Sequence, residues 1–198
     1  MSTRSKPPGR RETGKRLAER VPYRATSLAS AYEGIDRLPV SVILDNVRSL
    51  YNVGSFFRTA EAAGIEMLFL CGITGRPPSR QIGKTALGAE EAVRWEGCDQ
   101  PAELVREMRA GGYEIAAVET SLRAVDLFDW QPRFPVCVMF GHEVEGLRRE
   151  LLGLCDTHVR IPMLGTKHSL NVATAGGVVL YELLRKYRRL IGKRGAGT

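Results

Sequence analysis

A chain of 198 residues and 21.9 kDa, 43% hydrophobic and 26% charged, has the balance of one ordinary globular domain with tails. No apolar run approaches the roughly 20 residues of a bilayer span, the basic N-terminus lacks the apolar stretch of a secretory signal, and the scattered four cysteines and three histidines predict reduced thiols in a cytosolic protein with no metal site. The net charge of +7 points to a polyanionic partner, RNA or DNA, with solubilising tails as the alternative.

Residues 1–22 hold Pro7-Pro8-Gly9, many charges and few large apolar side chains, which predicts a basic flexible arm. The first 24 residues carry a surplus of +6. A connecting helix is expected over 23–37. The first clear strand is the β-branched run Val40 to Leu44, bounded by Pro39 and Asp45. A helix follows from about Val53 to Ala63, with Gly64 at its C-terminal position, and then a strand from Met67 to Cys71. Between Gly72 and Arg94 the pattern is broken, with a loop at Pro77-Pro78 and a helical reading for Gln81 to Glu91 around Gly88.

Regularity returns with a helix over Pro101 to Ala110 and a strand over Tyr113 to Val118. Leu122 to Arg133 reads as irregular. Pro135 to Phe140 is apolar at nearly every position, as expected for a strand covered on both faces. A short helix over Gly146 to Leu152 and a strand over His158 to Ile161 precede a long final helix. There Leu180, Leu183, Leu184, Tyr187 and Ile191 keep helical spacing. Residues 192–198 read as a basic tail. From Arg185 onward six basic residues meet no acidic one, another +6, and the body between the two ends is mildly acidic. Strands alternating with helices predict an α/β fold with a mostly parallel sheet and helices on both faces.

Ligands of such sheets collect beyond the carboxyl ends of the strands. Those positions hold Asp45-Asn46, Glu119-Thr120-Ser121, Gly141 to Gly146 and Ile161 to Ser169, so one site assembled from several loops is expected. The start of the last helix is rich in small residues, including the adjacent Gly176 and Gly177, each costing about 1 kcal/mol against Ala. Close approach of a backbone or ligand and plain core packing both account for them. A His168–Ser169 hydrolase pair lacks a nucleophile-elbow pattern, and Gly165-Thr166-Lys167 lacks P-loop spacing.

Three segments taken together carry a resemblance. They are Leu44 to Gly64, containing Asn52, Gly54 and Arg58; Phe140 to Leu147, containing Gly141, Glu143 and Gly146; and Ile161 to Glu182. In this order and spacing, over roughly residues 38–190, the chain resembles the TrmH (SpoU) branch of the SPOUT RNA methyltransferases. That resemblance implies an S-adenosylmethionine-dependent enzyme methylating a ribose 2′-hydroxyl of RNA. It also implies an α/β core whose C-terminal segment forms a trefoil knot, and a homodimer with the substrate site near the subunit interface. A SPOUT-type domain over 38–191 is therefore expected.

By position, the resemblance implies catalytic roles for Asn52, Arg58, Glu143, Ser169 and Asn171. It places the cofactor against Glu119, Thr120, Gly141, Gly146, Ile161, Met163, Ser169 and Leu170. Without it, Ile161, Met163 and Leu170 serve equally as core, Gly141 and Gly146 as turn residues, and Glu143 as a solvated carboxylate. RNA contacts are expected from Arg10, Arg11, Lys15, Arg16 and Lys167. Guanidinium resists deprotonation, so holding a phosphate and stabilising an alkoxide suits Arg58 better than the role of general base. An RNA-binding protein that keeps the fold without catalysis, and a base-methylating relative, are the alternatives. Residues 1–37 are too few for the separate RNA-binding domain of some ribosomal RNA enzymes, which tilts the expectation toward transfer RNA.

Overall fold

A computed structural model describes residues 35–195. The expected arm over 1–22, with Arg10, Arg11, Lys15 and Arg16, lies outside the described residues. So does the connecting helix, except for Ile35 to Arg37, which form a bend and no helix.

Among the described residues the elements follow in order: β1 (Leu38–Asp45), α1 (Leu50–Ala63), β2 (Ile65–Cys71), α2 (Arg80–Ala86), α3 (Ala89–Ala92), β3 (Trp95–Cys98), α4 (Pro101–Ala110), β4 (Glu114–Val118), β5 (Val125–Asp126), β6 (Val136–Phe140), α5 (Arg149–Gly153), β7 (Thr157–Arg160) and α6 (Val172–Gly195). The strands form one parallel sheet in the order β3-β2-β1-β6-β4-β7-β5. The predicted α/β class is what the chain adopts.

Alternation along the central strands explains why both faces are covered. Val40, Val42 and Leu44 of β1 and Val136, Val138 and Phe140 of β6 face one cluster, with α1, α2, α3 and α6. Ile43, Cys137 and Met139 face the other, with Val105 and Met108 of α4 and Leu151 of α5. Successive side chains point to opposite faces, so a nearly continuous apolar run supplies two cores at once.

Local chemistry moves several boundaries. Helix α1 starts at Leu50, three residues earlier than the apolar pattern, because the Ser49 side chain accepts from the Asn52 N–H and caps it. The helix expected over Gln81 to Glu91 is two, parted by left-handed Leu87 and Gly88. The short helix expected from Gly146 starts at Arg149, because Gly146 is itself left-handed with φ 70°. Strands β3 and β5 were not expected at all. Trp95-Glu-Gly-Cys98 alternates weakly at a half-exposed sheet edge, and β5 is two residues long. Helix α6 runs to Gly195, past the expected start of a tail at 192.

The paired glycines divide between the two explanations. A Cβ at Gly176 would lie 2.3 Å from the Phe56 ring, so this glycine lets α6 cross α1 closely in the core. A Cβ at Gly177 would meet nothing within 4 Å.

Candidate active site

The carboxyl ends of β1, β6, β4 and β7 lie side by side in the sheet, so the loops that leave them converge. Those after β4, β6 and β7 line a cavity of about 310 Å³. Val118, Glu119 and Thr120 come from the end of β4, and Phe140 to Val144 with Gly146 from the end of β6. Val159 to Ile161 and Met163 come from β7, and His168 to Val172 with Ala175 from the loop into α6. Apolar and polar side chains share this lining.

The loop after β6 is folded tightly upon itself. His142 N donates to Gly146 O at 3.1 Å and Gly146 N to His142 O at 2.9 Å. A Cβ at Gly141 would sit 2.3 Å from the Gly146 backbone, so only glycine closes this turn. Glu119 ties it to the β4 side, its carboxylate accepting from Thr120 N at 2.9 Å and from Leu147 N at 3.3 Å. Arg148 ends the loop with a two-point pair to the fully buried Asp45 of β1, at 2.9 and 2.7 Å. Both protein walls of this turn are therefore fastened before any ligand arrives.

Glu143 reaches the other way, to the start of α1. Its carboxylate accepts from Arg48 N at 3.1 Å, Ser49 N at 3.0 Å and Asn52 Nδ2 at 2.9 Å. Burial pushes the Glu143 carboxyl upward, but the donors at Ser49, Asn52 and Arg48 outweigh it and hold it below the usual carboxylate value. The carboxylate is thus held in its charged form by three donors from the start of α1.

A directed chain of amides continues from it. Asn171 Oδ1 accepts from Ala173 N at 3.0 Å and Thr174 N at 3.3 Å, which caps α6. Its Nδ2 is thereby left to donate to Asn52 Oδ1, at 3.1 Å, and Asn52 Nδ2 is left to donate to Glu143. Capping the last helix fixes the orientation of both asparagines.

The sequence-predicted residues thus fall into three groups. Asn52, Glu143 and Asn171 are joined by hydrogen bonds, and Ser169 is exposed on the same cavity wall. Glu119, Thr120, Gly141, Gly146, Ile161, Met163 and Leu170, with Ser169, all line the cavity. Arg58 does not. It lies six residues beyond Asn52 on the exposed side of α1, about 9 Å along the axis. Lys167 is exposed in the loop before α6. Sequence reasoning missed His142, Arg160 and His168, which also line the cavity. Each stands next to a residue that was identified, and the position at a strand tip was the available signal. Among the described residues, no three His, Cys, Asp or Glu side chains gather to hold a metal ion, and no helix is long and apolar enough to cross a membrane.

The family model described as the SpoU rRNA Methylase family matches residues 39–181. The 23S rRNA (guanosine-2′-O-)-methyltransferase RlmB of Ralstonia nicotianae is 33% identical over 168 residues, 82% of this chain and 65% of that protein. The chain therefore spans a little under two thirds of this curated relative. The AdoMet-bound rRNA methyltransferase of Sinorhizobium meliloti superposes with a TM-score of 0.69 at 33% identity, over 74% of this chain and 56% of that one. The TrmH/SpoU tRNA modifying enzyme of A. aeolicus superposes with a TM-score of 0.72 at 27% identity, over 87% of this chain and 85% of that one.

Proposed function

This chain belongs to the SpoU rRNA methylase family, and from that membership we propose that it is an S-adenosylmethionine-dependent RNA methyltransferase acting on a ribose 2′-hydroxyl. One observation carries the reading: the hydrogen-bonded line Glu143–Asn52–Asn171 stands at the mouth of a cavity built from strand-tip loops. The residues present fit the cofactor. A purine finds apolar walls in Ile161, Met163 and Leu170 and main-chain groups in the flanking loops. Gly141 and Gly146 let the turn pack against itself and against Glu119, which sets the shape of this wall. When bound, S-adenosylmethionine supplies a methyl group on a positively charged sulfur that is already a good leaving group.

What the protein adds is alignment and control of one proton. Asn52 and Ser169 orient the ribose, with Asn52 held by Glu143 on one side and Asn171 on the other. Arg58, exposed and off the cavity wall, holds the RNA backbone. Arg10, Arg11, Lys15, Arg16 and Lys167 add phosphate contacts, and the arm over 1–22 serves the catalytic domain over 38–191 in this way. A homodimer, a cytosolic setting and a transfer or ribosomal RNA substrate belong to the same reading. So does a threaded C-terminal segment, supported by β7 lying between β4 and β5, two strands joined to each other in the chain.

The test incubates the full chain with labelled S-adenosylmethionine and either transfer RNA or ribosomal RNA, followed by nucleoside digestion and mass spectrometry. A 2′-O-methylnucleoside is expected. A methyl group on a base overturns the ribose assignment. RNA binding with no cofactor binding at millimolar concentration by calorimetry makes the chain a binder that keeps the fold. Arg58→Ala is expected to lose turnover while cofactor affinity persists.

A further inference from the structure

Between Gly141 and Glu143 stands His142, a half-buried residue on the cavity wall that the reading above gives no task. Its ring looks back onto its own loop. Nδ1 accepts from Val144 N at 3.1 Å and from Glu145 N at 3.2 Å. The same residue's backbone closes the two-bond bridge to Gly146. Val144 and Glu145 are the exposed tip of the turn, and the ring nitrogen is what satisfies their N–H groups.

We propose that His142 is a positioning residue: its unprotonated Nδ1 holds the 142–146 turn in the shape that aims Glu143 at the start of α1. The proposal rests on the methyltransferase reading for its kinetic consequences but not for its structural ones. An acceptor shared by two N–H donors has no place for a proton. Once Nδ1 is protonated it becomes a donor facing two donors, and the turn must open. Imidazole is the side chain that makes this change near neutral pH. The charged or titratable groups sharing the cavity with His142 are Glu119 at the β4 tip, Arg160 at the β7 tip, His168 in the loop before α6 and Glu143 on its own turn, and Glu145 stands exposed at the tip of that turn. Glu143 is committed to α1, and Glu119 to Thr120 and Leu147. Neither offers the ring a bond that compensates.

An asparagine should replace it. Asn Oδ1 stands the same number of bonds from Cα as His Nδ1 and accepts the same pair of N–H groups, but never titrates. His142→Ala is expected to lower kcat about 10- to 100-fold with the KM for RNA little changed, the signature of lost alignment. His142→Asn should restore it. Wild-type kcat should fall on the acid side as Nδ1 gains a proton, and His142→Asn, which still carries His168, should lack that acid limb. Independently of any activity, nuclear magnetic resonance should show the Val144 and Glu145 amides titrating together with the His142 ring in the wild type and flat in His142→Asn. Full turnover in His142→Ala, failure of Asn to rescue, or amides indifferent to ring protonation would each overturn the assignment. A wild type that moves no methyl group yet shows the coupled titration would overturn the methyltransferase reading alone.

Discussion

Two loops flank the same cavity and are built in opposite ways. The turn from Gly141 to Arg148 is fastened to β1 through Asp45, to α1 through Glu143, to the β4 tip through Glu119, and to itself through His142. Pro162 to Leu170, after β7, makes no hydrogen bond with any described residue, and Leu164 is fully exposed. The first loop carries the orienting carboxylate and the second carries Ser169. A group that points in one direction is held by preformed bonds, whereas the second stretch is left without them and, in the proposed function, is the one free to close on ligand and RNA.

Breaking the fastened loop should have the largest effect. Glu143→Ala strips a carboxylate from Arg48 N, Ser49 N and Asn52 Nδ2 at once. Turnover should drop by about 100-fold or more, and thermal unfolding should register a loss of about 1–3 kcal/mol. Wild-type turnover in this variant would mean that the contrast between the loops has no bearing on catalysis. Gly141→Ala forces a methyl group into the Gly146 backbone and should cost about 1–3 kcal/mol while abolishing cofactor binding in calorimetry.

Asn171 stands where the untied loop ends, and its two jobs can be separated. Asn171→Ala removes a helix cap, about 1 kcal/mol, together with the amide link to Asn52. Asn171→Ser should recover the stability in chemical denaturation but not the turnover. If both return, the link to Asn52 is idle.

Acid distinguishes the loops more gently. The folded Glu143 carboxyl sits below its ordinary value, so its clamp contributes fully above the unfolded value near 4.3 and fades as pH falls through the lowered folded one. The stability gap between wild type and Glu143→Gln should narrow as denaturation is repeated from pH 7 toward about pH 3. A constant gap would contradict the clamp. Smallest of all, Leu164→Ala should leave stability within about 0.5 kcal/mol. Amide exchange should be fast over residues 162–170 and slow at the bridged amides His142 and Gly146, with the former slowing when cofactor is added.

The contrast between the loops was only half legible in the sequence. Apolar runs and glycine punctuation located the central strands, α1 and α6, because burial on both sheet faces leaves a continuous signal at Val40 to Leu44 and Val136 to Phe140. The ordered segments located cavity residues such as Gly146, and the strand-tip position located Glu119. Their partners were hidden. That Glu143 is consumed by Arg48, Ser49 and Asn52, or that Asn171 donates to Asn52, depends on contacts between positions about 90 to 120 apart. Spacing along a chain carries no trace of such contacts. Arg58 shows the same limit from the other side, since its motif position said nothing of its lying off the cavity wall.

The two margins of the sheet are the four-residue β3 and the two-residue β5. So brief a border offers a neighbouring molecule few unpaired amides on which to zip another strand. Among the described residues, self-association through the sheet margins is therefore disfavoured, which leaves helical surfaces and loops as the ground on which copies would meet.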